Sequence, residues 1–206
     1  APAHPAAQAM LAAAGLPVAG PSANRSGRVS PVTAGHVLED LGDRIDAVLD
    51  AGPTTVGLES TIVACLDGPP VLLRPGGLPR EKIEAVVGPL ASPQSGKVAA
   101  PGMLASHYAP RAHLRLDATD LRAGEAGLDF GGRFGHPAGA EIIDLSPRGD
   151  LVEAAARLYL ALRALDATGA AAIAVAPIPA DNMGEAIRDR LARAAAPRRA
   201  EGAGDP

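Results

Sequence analysis

The sequence predicts an α/β protein in two parts. Short apolar segments of strand length alternate with segments of helical period, and a long aperiodic stretch rich in Pro, Gly and Ser divides them into two groups. That stretch, "PLASPQSGKVAAPGMLASHYAP" from Pro89 to Pro110, reads as a long ordered linker. The 206 residues, 47% hydrophobic with a formal net charge of −4, suit one medium or two small globular domains.

The elements follow in order. "HPAAQAMLAAAG" reads as an Ala-rich helix stopped by Gly15, and "LPVAG" after it as a short buried strand. The loop "GPSANRSGRVSP", Gly20 to Pro31, comes next, and Ser30 with Pro31 reads as the N-cap and first-turn proline of a helix through "VTAGHVLEDLG" that ends at Gly42. "RIDAVLD" and "STIVACL" read as strands, "VLLRPGG" as a strand entering a turn, and "LPREKIEAVVG" as a helix with Pro79 near its start. Beyond the linker, "AHLRLD" and "AEIIDL" read as strands. Ser146 and Pro147 then cap an amphipathic helix with Leu151, Leu158, Leu162 and Leu165 on one face. "GAAAIAVAPIP" reads as a buried strand, "GEAIRDRLARAA" as a closing helix, and the polar "PRRAEGAGDP" as a frayed tail.

Composition excludes several functions. With two Phe, two Tyr and no Trp, the core must be Ala, Leu, Val and Ile, and aromatic base-stacking platforms are excluded as a main binding mode. Scattered basic residues on a mildly acidic chain give no broad footprint for nucleic acid, which leaves any RNA contact indirect or weak. No stretch approaches the ~20 apolar residues of a membrane span, and the start lacks the basic-then-apolar pattern of a signal peptide. The single Cys65 lies in an apolar run and is expected to be a small buried core residue in a reducing compartment, so the cytoplasm is the expected location. The opening "APAHPAAQAM", without an initiator Met, reads as the middle of a longer chain.

The loop at Gly20–Pro31 has the makings of an anion site. Successive backbone N–H groups ahead of a helix form a concave donor surface, Ser22, Asn24, Ser26 and Ser30 add polar side chains, and Gly20 and Gly27 permit close approach. An ordinary Ser/Asn-rich turn would have the same composition. "ASPQSGKV" lacks the first Gly and final Ser/Thr of a Walker A loop. "GPSAN" has Asn24 where a nucleophile elbow needs Gly, and no acid–histidine pair follows, which disfavours a serine hydrolase. His4, His36, His107, His113 and His136 show no metal-cage spacing. "VGLESTIV" sets Glu59, Ser60 and Thr61 at the entrance of an apolar strand, and "VLLRPGG" delivers Arg74 to a rigid turn, where it serves either to hold phosphate bidentately or as half of a surface ion pair.

Taken in order, "PSANRSGRVSPVTAGHV", "GLESTIV", "LLRPGG" and "APGMLASHYAP" resemble the YrdC/Sua5 family of threonylcarbamoyl-AMP synthases. The resemblance implies the C-terminal half of a YrdC-like twisted-sheet α/β domain over residues 1–88, a linker over 89–111, a small Rossmann-like α/β Sua5 domain over 112–197 and a tail over 198–206. It implies a nucleotidyltransferase that condenses L-threonine, bicarbonate and ATP into L-threonylcarbamoyladenylate and pyrophosphate. Mg2+ is expected with the ATP, and partner proteins then carry the threonylcarbamoyl group to adenosine 37 of certain tRNAs (t6A). By motif, Ser22, Ser30, Arg74 and Tyr108 would contact ATP, and Gly20 and Ser60 would line the threonine site. No catalytic side chain and no metal ligand stands out. Tyr108 is expected to latch the linker over the pocket as a lid, without a large role in folding. "ACL" after "STIV" departs from the acidic residue the family often has there. The upstream half, where the family keeps a basic pair for the triphosphate, is absent from this sequence. The alternative is therefore a nucleotide- or RNA-binding module without catalysis of its own; an unrelated two-domain α/β hydrolase lacks its acid–base–nucleophile set.

Overall fold

A computed structural model describes residues 2–66, 68–93, 102, 106–135 and 137–197, and shows a mixed α/β fold with a parallel sheet. The sequence elements at 94–101, 103–105, His136 and the tail from 198 lie outside the described residues.

Helix α1 (Pro5–Ala14) starts on a proline and stops at Gly15, whose φ of 63° is the left-handed cap that lets its N–H return to the Leu11 carbonyl at 3.1 Å. It buries no residue. The strand expected at Leu16–Gly20 does not form. Leu16 is 71% exposed, no described strand lies beside the segment, and Pro17 lacks a donor. The strand expected over 44–50 is likewise irregular, with Leu49 exposed, because an extended apolar run becomes a strand only when a neighbour takes its hydrogen bonds.

Helix α2 (Ala34–Leu41) is capped by Thr33, whose Oγ1 accepts from the His36 N–H at 3.3 Å, and not by Ser30. The physical reason is that the Ser30 hydroxyl already donates to Glu59. Strands β1 (Ile62–Ala64) and β2 (Val71–Arg74) form an antiparallel pair, and the first linker residues extend it through Leu72 N–H to the Ala91 carbonyl at 2.9 Å. Cys65, just past β1, is exposed, contrary to its expected burial, because the short strand ends before it. Helix α3 (Arg80–Val87) follows directly on Pro79.

The second part is a four-stranded parallel sheet in the order β3–β6–β4–β5, made of β3 (His113–Arg115), β4 (Glu125–Asp129), β5 (Ile142–Asp144) and β6 (Ala172–Val175). Helices α4 (Leu151–Ala167) and α5 (Met183–Ala195) pack on it and on each other. The N-cap of α4 is Asp150, which accepts from Val152 and Glu153 N–H groups at 2.8 and 3.2 Å. Ser146, the expected cap, instead accepts from Asp150 N–H and donates to Glu153. Strand β4 carried no legible period, since Gly127 interrupts it; that glycine sits where a Cβ would press on Ile142, Phe134 and Leu121 at 3.1–3.3 Å.

One core serves both parts. Leu128, Leu145, Leu158, Leu162, Leu165, Ile173 and Ile187 from the sheet unit cluster with Val29, Val32, Leu58 and Tyr108 from the first part and the linker. Each such side chain contributes roughly 1.5–3 kcal/mol on full burial. Gly57, at φ 76°, lies so close to the Ala155–Ala156 backbone of α4 that no Cβ fits. Ion pairs tie the parts: among them, Arg80 reaches Glu185 at 2.6 Å, and Arg163 bridges Asp40 at 2.5 Å and the Val29 carbonyl at 2.7 Å. Among the described residues no helix is long and apolar enough to cross a membrane.

Candidate functional site

The candidate site forms where the end of β2 meets the entrance of β1. Arg74, buried, turns back so that its Nε and Nη2 both donate to the Ser60 carbonyl, at 3.2 and 2.7 Å. Thr61 clasps the following turn, its Oγ1 donating to the Leu78 carbonyl at 2.6 Å and accepting from the Leu78 N–H at 3.1 Å. Gly76 makes this packing possible, because a Cβ there would fall inside the Glu59–Thr61 backbone. The Ser60 side chain remains exposed at the surface beside this rigid turn.

Glu59 lies behind Ser60 and gathers three donors. The Ser30 hydroxyl reaches its Oε1 at 2.7 Å, the Tyr159 hydroxyl lies 3.1 and 2.9 Å from its two oxygens, and Arg190 Nε reaches Oε2 at 2.8 Å. Burial works against its ionisation, yet the charge and hydrogen bond of Arg190 and the hydrogen bond from Ser30 prevail and hold the carboxyl below its usual range. Arg190 is itself 0% exposed, and burial opposes its charge, while Tyr159 and Glu59 hold it protonated. Its Nη1 pairs with Asp189 at 2.6 Å and its Nη2 has no hydrogen-bond partner among the described residues. The guanidinium lies 5.0 Å from the centre of the Tyr108 ring, an aromatic face that offsets part of this deficit.

Tyr108 joins the linker to this cluster. It stacks on Tyr159 at 5.7 Å, takes the left-handed φ of 61°, and shares its hydroxyl's surroundings with Gly102 and the Arg74 side chain. At 2% exposed it belongs to the core, so the expectation that it has no large role in folding is corrected: a ring stacked in a shared core holds the two parts together. His107 beside it is held below the usual histidine range, first by burial and then by Arg190, Arg193 and Arg74, with Glu59 opposing. The next residue ties the linker to the loop, Ala109 N–H donating to the Gly27 carbonyl at 2.9 Å.

A chain of contacts thus links four of the expected residues: Ser30 bonds to Glu59 beside Ser60, Arg74 donates to the Ser60 carbonyl, and the Tyr108 hydroxyl and Arg74 both lie against Gly102. Ser22 and Gly20 are exposed on the loop, where Asn24 braces the chain by donating to the carbonyls of Arg25 and Arg28 at 2.9 and 3.2 Å. Tyr159 and Arg190 were missed as site neighbours. Their signal was present in the sequence, since Arg190 sits on the apolar stripe of α5 with Ala186, Ile187, Leu191 and Ala194, and Tyr159 interrupts the aliphatic face of α4. Among the described residues no three His, Cys, Asp or Glu side chains gather as a metal cage.

The chain resembles known proteins over most of its length. The family model described as threonylcarbamoyl-AMP synthase, C-terminal domain, matches residues 78–196, and one described as telomere recombination matches residues 1–76. The threonylcarbamoyl-AMP synthase of Bacillus subtilis is 41% identical over 212 residues, covering 94% of this chain and 61% of that protein. That of Pyrococcus abyssi is 38% identical over 214 residues, covering 94% and 62%. The crystal structure of P. abyssi Sua5 complexed with L-threonine superposes with a TM-score of 0.83 at 34% identity, covering 94% of this chain and 62% of that one. The chain therefore spans about three fifths of the length of the relatives it matches. Two family models that between them take in residues 1–76 and 78–196, and close structural likeness over 94% of the chain, establish that it belongs to the YrdC/Sua5 family of threonylcarbamoyl-AMP synthases.

Proposed function

We propose that this chain forms part of an L-threonylcarbamoyladenylate synthase, which joins L-threonine, bicarbonate and ATP and releases pyrophosphate, supplying the activated group for t6A at tRNA position 37. The observation that carries the reading is the meeting of Arg74, the Ser60 strand entrance and Tyr108 of the linker at one point. In the reaction the threonine amine captures CO2 as a carbamate, whose oxygen attacks the α-phosphorus of ATP. A bond to the carbamate oxygen forms, the bond to the bridging oxygen breaks, and the electron pair leaves with pyrophosphate. Such a substitution depends on positioning and charge stabilisation.

Arg74 is the planar cation suited to phosphate, with Ser22, Ser30 and Tyr108 as further ATP contacts, while Gly20 and Ser60 line the threonine side. Ser30 serves from within the fold, since its proton is committed to Glu59 and its oxygen lone pairs remain. Mg2+ would arrive with the triphosphate as part of the substrate. Residues 1–88, 89–111 and 112–197 serve as catalytic-domain segment, linker and Sua5 domain, and the reaction belongs in the cytoplasm with downstream threonylcarbamoyl-transfer proteins and at most weak RNA contact.

A second reading is a binding module without catalysis of its own. Pyrophosphate release that requires both threonine and bicarbonate supports synthesis. Calorimetric binding of ATP and threonine without pyrophosphate supports the binding module, and salt-sensitive RNA binding without ATP binding would overturn the synthase reading.

A further inference from the structure

We propose that Glu59 is a positioning residue through which the sheet unit, by way of Tyr159 and Arg190, holds the Ser30 loop limb and the Ser60 strand entrance in their binding conformation. The proposal rests on the synthase reading for what is bound, but its geometry stands by itself.

Glu59 precedes Ser60 directly, and its backbone carbonyl accepts from Gly77 N–H at 2.9 Å, so any shift of Glu59 moves both the Ser60 peptide and the Arg74–Gly77 turn. The sheet unit grasps its carboxylate directly: Tyr159 comes from the middle of α4 and Arg190 from α5. The same Oε1 that takes Tyr159 at 3.1 Å takes Ser30 at 2.7 Å, so loop, strand and both helices meet on one carboxylate. Both helical donors lie in the core, at 1% and 0% exposed, and cannot follow a moving partner. A core acid–base pair of this kind is weak evidence for stability and stronger evidence for fixing one geometry.

The test uses Tyr159→Phe, which removes one donor and keeps the ring, beside Glu59→Gln, which keeps an acceptor and removes the charge. Glu59→Ala is less useful, since it strands the buried Arg190 guanidinium and so reports on global folding instead. Hydrogen exchange is read on peptides covering 22–32 and 58–63, with peptides from β4 and β6 as internal reference. The expected result is exchange roughly tenfold faster in the first two regions, with the reference peptides unchanged, the size of one lost hydrogen bond to a charged group. The dissociation constant for threonine should rise about threefold to tenfold in Tyr159→Phe, and Glu59→Gln should rank with it or beyond it. Unchanged exchange at 22–32 and 58–63 would overturn the proposal, and so would acceleration spread equally over β4 and β6, which marks a purely global loss of stability. If the unaltered chain binds neither threonine nor ATP, the synthase reading fails for this chain, while the exchange pattern still decides the role of Glu59.

Discussion

Arg74 and Ser60 are joined by two donors on one carbonyl, Nε at 3.2 Å and Nη2 at 2.7 Å, which makes the guanidinium of one strand the brace for the backbone of the next. The residue proposed to meet phosphate therefore also shapes the threonine side.

Arg74→Lys keeps the charge and loses the planar fork, so ATP binding should weaken on the order of tenfold or more, with a smaller loss for threonine as the Ser60 carbonyl loses its brace. Isothermal titration with each ligand reads both, and an unchanged ATP affinity removes Arg74 from the site.

Ser60→Ala should weaken threonine binding while sparing ATP. The hydroxyl is exposed, and one lost hydrogen bond contributes about 0.5–1.5 kcal/mol. Equal losses for the two ligands would contradict the assignment.

Gly76→Ala should be harmful although it adds a single methyl group, because the new Cβ falls within the Glu59–Thr61 backbone and the turn must shift. Overpacking of this kind typically destabilises by about 1–3 kcal/mol. A calorimetric Tm lower by several degrees, with threonine binding reduced at temperatures where the protein remains folded, is the expected outcome, and an unchanged Tm would show that the turn yields.

Tyr108→Phe separates the lid from the core. It keeps the ring stacked on Tyr159 and removes the hydroxyl beside Gly102 and Arg74, so Tm should hold nearly constant while ATP binding weakens. Tyr108→Ala should lower stability by about 3–5 kcal/mol, the usual loss for a large buried ring. A Phe variant with full ATP affinity and full product yield would leave the linker as a tether.

Stability should decline as pH is lowered. His36 and His107 have folded pKa values below 6.5, chiefly through burial, so the unfolded chain takes up protons first as pH falls through 6.5 and folding weakens there. His36 is further disfavoured by Arg163 against Glu39 and Asp40, and His107 by Arg190, Arg193 and Arg74 against Glu59. Glu59, held below 4.5, and Glu125, held at about 2 first by its hydrogen bonds from Arg115, contribute stability that is full above 4.5 and is lost below it. Urea midpoints from pH 8 to 4 should fall in two stages, and His107→Gln should flatten the upper one.

The sequence revealed elements that carry their own signal. Helices α1, α3, α4 and α5 were legible from period and from Gly15 or Pro79, and β1, β2, β3, β5 and β6 from short apolar runs. It misled where partners decide. Leu16–Gly20 and 44–50 look like strands but have no neighbour, and Ser30 and Ser146 look like caps but bond to Glu59 and Glu153. Ser30, Ser60, Arg74 and Tyr108 could be found because their motifs lie in loops and turns. The Tyr159–Arg190 side of the cluster showed only as a polar break in two apolar helix faces, since nothing local links residues from α4 and α5 to a glutamate far earlier in the chain.

The bond between Glu59 and Arg190 spans 131 residues of sequence, and it bears on the order in which the molecule assembles. Closing so large a loop is entropically costly until the intervening sheet has formed, so this pair is expected among the last contacts made and outside the folding transition state. Weakening it should therefore leave the refolding rate almost unchanged and accelerate unfolding, giving the protein a shorter kinetic lifetime at an unaltered speed of assembly.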